Sequence, residues 1–180
     1  IGRYGSGAEF ATDQRADDGG SLLFVSEPLA ERLEILGEPV VELELVSDKP
    51  NGLVCVRLND VAPDGASFRA TYGLLNLTHR DSHEHVEPMI PGQRYRTRVP
   101  LEAVAHAFPQ GHRIVLSISN AYWPVAWPSP EPATLTIFAG ASRLTLPVRP
   151  PRAADAKLAP FGAAEAAAQT PHRYLDDGRE

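Results

Sequence analysis

Six residues in one short stretch carry groups able to hold a metal ion or move a proton: His79, Asp81, His83, Glu84, His85 and Glu87. In an extended segment His83 and His85 fall on one side, and imidazole with carboxylate suits zinc or similar ions. The plainer reading is a solvated loop in which His79 and Arg80 hydrogen-bond to neighbouring backbone. A third reading is a contact with a neighbouring domain. A second group, Tyr122, Trp123 and Trp127, places three aromatics in six positions, with Pro124, Pro128 and Pro130 among and after them. Aromatic faces with a polar edge can stack on a sugar ring, as in a carbohydrate-binding module. The same composition describes an anchored structural loop or an interdomain contact. Asp60 and Asp64 beside Gly65 suggest calcium or, more simply, side-chain capping of a turn. Cys55 falls on the polar-facing positions of its strand, and nothing nearby in sequence marks it as a nucleophile. The candidate contacts with a ligand or another domain are therefore His79, Arg80, His83, Tyr122, Trp123 and Trp127. No residue is assigned as catalytic, cofactor-binding or metal-binding.

Some chemistries lack their signature. There is no Gly-x-Ser-x-Gly nucleophile elbow, and Gly5-Ser6-Gly7 does not have its spacing. A phosphate-binding glycine loop and a His-Glu-x-x-His pair are missing too. The formal charge of −6 gives no broad basic footprint for nucleic acid. A single cysteine excludes an internal disulfide and a cysteine-rich zinc site, and leaves the compartment open. No apolar run approaches the roughly 20 residues that a membrane helix needs. A length of 180 residues is about one domain and can bury a proper core. The chain opens at Ile1 without a charged region followed by an apolar one, so we expect a piece of a longer polypeptide.

The elements that would position these groups read as strands. In Val40 to Val46, the residues Val41, Leu43 and Leu45 alternate with Glu42 and Glu44. A period of two puts aliphatic groups on one face and carboxylates on the other. Pro50-Asn51-Gly52 supplies a turn in which Asn and Gly tolerate φ > 0. Leu53 to Val61 returns, with Val54, Val56 and Leu58 inward and Cys55, Arg57 and Asn59 outward. After the Pro63-Asp64-Gly65 turn, Ser67 to Leu77 comes back again. The expectation for Val40 to Leu77 is an antiparallel meander with one wet face and a dry face that needs a partner sheet.

Upstream, Asp13 to Asp18 is too polar for core and reads as a loop. Ser21 to Glu27 is a short apolar strand near a sheet centre. Leu29 to Leu36 is a helical turn or an extended connection. Downstream of the long polar loop from Thr78 to Glu87, Gln93 to Leu101 alternates Tyr95, Thr97, Val99 and Leu101 against Arg94, Arg96 and Arg98. Glu102 to Phe108 reads as a short helical turn. His112 to Asn120 is a strand, Ala121 to Pro132 a proline-rich loop, and Ala133 to Phe138 with Arg143 to Val148 a last hairpin. These eight strands predict an all-β fold, a jelly-roll β-sandwich of about eight or more antiparallel strands, galactose-binding-domain-like. The sandwich would run over 21–149, between a leading segment 1–20 and an Ala/Pro-rich tail 150–180.

Six motifs occur in a familiar order: Asp13-Gln14-Arg15-Ala16-Asp17-Asp18, Ser26-Glu27-Pro28-Leu29, Val56 to Gly65, Leu75-Asn76-Leu77-Thr78-His79-Arg80, Gly111-His112-Arg113 and Trp123 to Pro128. Together they resemble the C-terminal domain of the cocaine esterase / X-Pro dipeptidyl-peptidase family, the CocE/NonD hydrolases, over roughly Asp13 to Arg149. The resemblance implies a non-catalytic β-sandwich that follows an α/β-hydrolase domain and a helical cap. The Ser-Asp-His triad would lie in the catalytic domain, so no catalytic residue carries over to this sequence. The implied partner is the catalytic α/β-hydrolase domain of the same parent chain, with a homodimer as a further possibility. No cofactor, nucleic acid or membrane is implied. The tail departs from the pattern, because the family domain usually continues with further β-structure.

Overall fold

A computed structural model describes residues 13–160 and 162–163. Residues 1–12, with Gly5-Ser6-Gly7, lie outside them, and so does all but the first residue of the alanine-rich run Ala163 to Ala168. The chain divides into two compact units between Pro150 and Pro151. The described part of the second unit holds one 3-10 turn, Ala153–Lys157, closed by the Arg152 amide donating to Asp155 Oδ2 at 3.0 Å.

The described residues of the first unit form ten strands: β1 (Leu22–Val25), β2 (Leu33–Gly37), β3 (Val40–Ser47), β4 (Leu53–Val61), β5 (Ser67–Asn76), β6 (Arg94–Pro100), β7 (Val104–Phe108), β8 (Arg113–Ser119), β9 (Leu135–Ile137) and β10 (Arg143–Thr145). One sheet runs β1-β8-β4-β5, a second runs β10-β3-β6 with β9 also on β3, and β2 pairs with β7. Each of these pairings is antiparallel. Between the two larger sheets, Val41, Leu43 and Leu45 of β3 and Val99 of β6 form one core with Val54, Val56 and Leu58 of β4 and Leu116 and Ile118 of β8. The fold is the all-β sandwich that the alternation predicts.

The order of pairing differs from the expected meander. β4 and β5 do form a hairpin, but β3 belongs to the other sheet. The outward residues of β3 decide this. Glu42 lies opposite Arg98 and Glu44 opposite Arg96 in the β3–β6 register. Diagonal ion pairs join Arg94 to Glu44, Arg96 to Glu42 at 3.4 Å and Arg98 to Glu38 at 3.4 Å. Opposite charges across strands favour that neighbour over β4. The stretch through Pro50-Asn51-Gly52 therefore crosses between layers. Gly52 is not one of the positive-φ glycines, which among the described residues are Gly37, Gly65, Gly92 and Gly111.

Four further expectations are corrected. The Leu22–Val25 run is an edge strand rather than a central one, because among the described residues only β8 pairs with it. Val104–Phe108 is a strand rather than a helical turn, held in register by β2. The final two strands do not pair with each other. Both lie along β3, β9 at Leu45–Ser47 and β10 at Val40–Glu42. Between them Ser142 Oγ takes the Glu44 amide at 3.1 Å, which bridges the gap. Finally, β4 has no wet face. Cys55, Arg57 and Asn59 are buried, as are Gln14 and Asp18 from the segment expected to be a loop. That segment contains one helical turn, Arg15–Asp18, whose polar groups pair with those of β4.

Candidate functional site

The loop of residues 77–93 joins β5 to β6. It starts as a 3-10 turn, Leu77–His79, capped by Asn76, whose Oδ1 accepts from the Thr78 amide at 3.1 Å. The next turn is closed by Ser82 Oγ, which accepts from the amides of Glu84 at 3.1 Å and His85 at 2.9 Å. These caps bring two of the predicted residues together. His79 Nδ1 and His83 Nδ1 are 3.4 Å apart, with ring centroids 5.5 Å apart. His85 does not join them in a ligand set. Among the described residues no group of three or more His, Cys, Asp or Glu is arranged to hold a metal ion.

Arg80 is turned inward. It donates to the carbonyls of Leu77 at 3.2 Å and Glu87 at 2.6 Å, and its guanidinium carbon lies 4.6 Å from the Tyr95 ring centre. Its action is to fasten the two ends of the loop to the sandwich. The backbone bond that the sequence assigns to Arg80 is present, and the loop is held rather than loose.

The second predicted group lies on the loop of residues 120–134, between β8 and β9. Tyr122 is buried, and Trp123 and Trp127 are 61% and 82% exposed. The Ala126 amide donates to the Tyr122 carbonyl at 2.8 Å, making a tight turn around a cis Trp123-Pro124 bond. The two indoles meet edge to face, centroids 5.3 Å apart and planes at 73°. They form a wedge, not the coplanar platform that a sugar face stacks on.

Tyr122 anchors this wedge to a polar layer that sequence reasoning missed. Its hydroxyl accepts from Arg69, and its ring lies 5.7 Å from that of Tyr72. Burial raises its pKa, opposed by the Arg69 hydrogen bond. Beside it Arg57, 1% exposed, donates to Gln14 Oε1 at 3.0 Å, Ser21 Oγ at 2.9 Å and Ser117 Oγ at 2.7 Å. Arg57 also pairs with Asp18 at 3.1 Å and Asp17 at 3.7 Å. Asp18 in turn accepts from Asn59 Nδ2 at 3.0 Å and Ser67 Oγ at 2.9 Å. A buried charge is tolerated only when paired and hydrogen-bonded in this way. Cys55 lies below, its thiol pushed up to about 11 by burial. It is an inert core thiol.

The two aspartates beside Gly65 separate. Asp64 Oδ1 accepts from the Ala66 amide at 3.0 Å, the expected turn cap, with Gly65 at φ +85°. Asp60 instead lies between two imidazoles, 3.0 Å from His106 Nε2 and 2.8 Å from His112 Nδ1. His106 comes from β7 and His112 from the turn before β8, so the carboxylate ties the β2–β7 ribbon to the first sheet. The signal for this cluster was one hydrophilic residue at the end of a strand, too little to find it.

What the arrangement offers is an all-β body with an exposed aromatic wedge and a pinned histidine loop. The comparison with known families decides what it is. The X-Pro dipeptidyl-peptidase C-terminal non-catalytic domain matches residues 3–177. The chain belongs to that family. A Mycobacterium bovis protein whose name makes it a candidate serine esterase is 30% identical over 126 residues, 61% of this domain and 20% of that protein. The cocaine esterase of a Rhodococcus species is 24% identical over 123 residues, 67% of this domain and 21% of that enzyme. The solved structure of an α-amino acid ester hydrolase superposes with a TM-score of 0.73 at 26% identity, covering 78% of this domain and 28% of that chain. The domain thus spans about a fifth of the curated relatives it matches.

Proposed function

We propose that this domain is the C-terminal β-sandwich of an α/β-hydrolase-type serine hydrolase and braces the catalytic domain and its substrate cleft. The parent would cleave acyl esters or X-Pro amides. The observation that carries the reading is the Trp123–Trp127 wedge. Two large apolar rings stand in water on a loop whose root is a buried tyrosine. Exposed aromatics on a fixed support mark a contact surface, since their area is available without ordering a mobile loop. The His79–His83 pair, fastened by Arg80, is a second contact on the same reading.

The test uses the longer hydrolase carrying this domain. Trp123→Ala and Trp127→Ala should each lower its unfolding temperature and cut kcat/KM for a p-nitrophenyl ester or an X-Pro amide. Unchanged stability and activity in both variants would remove the wedge from the interface. Glycan-array binding by the domain, lost in the same two variants, would instead favour a carbohydrate-binding module.

A further inference from the structure

Directly paired residues of antiparallel strands share a face. Leu22 is paired with Ile118 and Phe24 with Leu116, and both partners are core residues. Leu22 and Phe24 therefore point into the sandwich. Even so, Leu22 is 48% exposed, and Leu23 and Val25, which alternate to the outer face, are 40% and 55% exposed. Phe24 is half-buried against the core, and Leu22 beside it is left open.

Two cavities run along it. One of about 360 Å³ is lined by Phe24, Val41, Leu43, Leu116 and Leu144 among others. One of about 230 Å³ is lined by Leu22, Leu135 and Ile137 together with Ser119, Asn120 and Thr134, and Ile118 forms a wall of both. Across the furrow stand β9 and β10, three residues each and both engaged with β3. The seam between the two sheets is thus open along the length of β1.

The chemistry of the furrow narrows what it takes. Its serines are already satisfied. Ser26 Oγ donates to the Glu27 carbonyl at 2.7 Å and accepts from the Ile114 amide at 3.0 Å. Ser142 Oγ donates to the Phe138 carbonyl at 2.9 Å and accepts from the Glu44 amide at 3.1 Å. Aliphatic stretches of wall beside a strand edge that is unpaired among the described residues suit an added strand. Its backbone would bond to the edge and alternate side chains would enter the cavities.

We propose that an extended segment of the longer polypeptide, outside these 180 residues, lies along β1 as an added strand and sets alternate aliphatic side chains over Leu116 and Ile118. This rests on the reading of the chain as the accessory domain of a longer hydrolase. The size of the relatives supports that source, since the domain matches only 20% and 21% of their lengths. A second copy is the weaker occupant. Pairing through four residues brings together only Leu22, Leu23, Phe24 and Val25 of each copy. That is well short of the roughly 800 Å² per partner of a stable interface.

Hydrogen–deuterium exchange separates the outcomes, measured on the 180-residue chain and on the longer polypeptide that carries it. The proposal expects amides of residues 21–26 to exchange at least tenfold more slowly in the longer polypeptide. Residues 122–128 report separately on the aromatic wedge. Slower exchange at 21–26 with no change at 122–128 supports the added strand while the wedge contact fails. Slower exchange at 122–128 with no change at 21–26 overturns the added strand and leaves the bracing role intact. No change at either overturns both. Protection of 21–26 that rises with the concentration of the 180-residue chain identifies a second copy and also overturns the proposal.

Discussion

Arg57 shows how a residue's role depends on what covers its strand. Alternation in β4 places it opposite Val56 and Leu58, and on a sheet with one wet face that means solvent. In the fold, Gln14, Ser21, Ser117 and Asp18 close over it. The polar composition of Asp13 to Asp18, which argues against core, is in fact the complement of a buried guanidinium. Nothing in either segment alone shows that they meet across 43 residues of chain. Arg57→Met leaves Asp18 buried with its cation gone, and breaking a buried pair in this way costs about 3–5 kcal/mol. Urea denaturation of the variant checks this, and a loss below about 1 kcal/mol would contradict it. Cys55 was legible as an unreactive residue but not as a buried one. With its thiol pushed up from 9.0 to about 11, native Cys55 should resist iodoacetamide at pH 8 and react once unfolded. The sign for stability follows. A group whose pKa is higher in the folded state keeps its contribution below pH 9 and loses it as pH rises toward 11. Rapid labelling of the folded domain at pH 8 would refute the assignment.

Elements with strict alternation, β3, β4, β5, β6 and β8, could be read from the sequence, because period two and turn chemistry are local signals. Pairing was less legible. The carboxylates of β3 and the arginines of β6 were both visible, and matching them would have placed these strands side by side. The β2–β7 ribbon was lost because neither Leu33–Gly37 nor Val104–Phe108 alternates cleanly, and each depends on the other for its backbone bonds. The two sheets approach so closely at one point that only glycine fits. A Cβ on Gly73 of β5 would lie 2.3 Å from the Pro100 carbonyl oxygen and 2.8 Å from Leu101 Cδ2. Gly73→Ala should therefore destabilise the domain by about 1–3 kcal/mol or more, since a packed backbone cannot give way as a flexible side chain can. Thermal unfolding reads the effect, and an unchanged midpoint would show that the layers are not held together there. At the predicted site, the aromatic loop and the histidine loop were both visible as composition. Which rings point outward was not, because that depends on Tyr122 finding Arg69 in the layer below.

For the whole molecule, family membership and the sandwich agree on an accessory role. The sequence motifs made that family legible before any geometry. A place beside a catalytic domain was implied by resemblance alone, because no local pattern encodes a partner. Structure adds two surfaces to the account: a wedge of exposed tryptophans, and an open seam along β1. Both are expensive to leave in water and both would be explained by a larger polypeptide. The central claim is that this domain supports catalysis without performing it. The most direct measurement is the hydrolysis of p-nitrophenyl esters and X-Pro amides by the purified 180-residue chain. The account predicts turnover no faster than buffer alone, and activity that survives purification and follows this polypeptide through every fraction would contradict it.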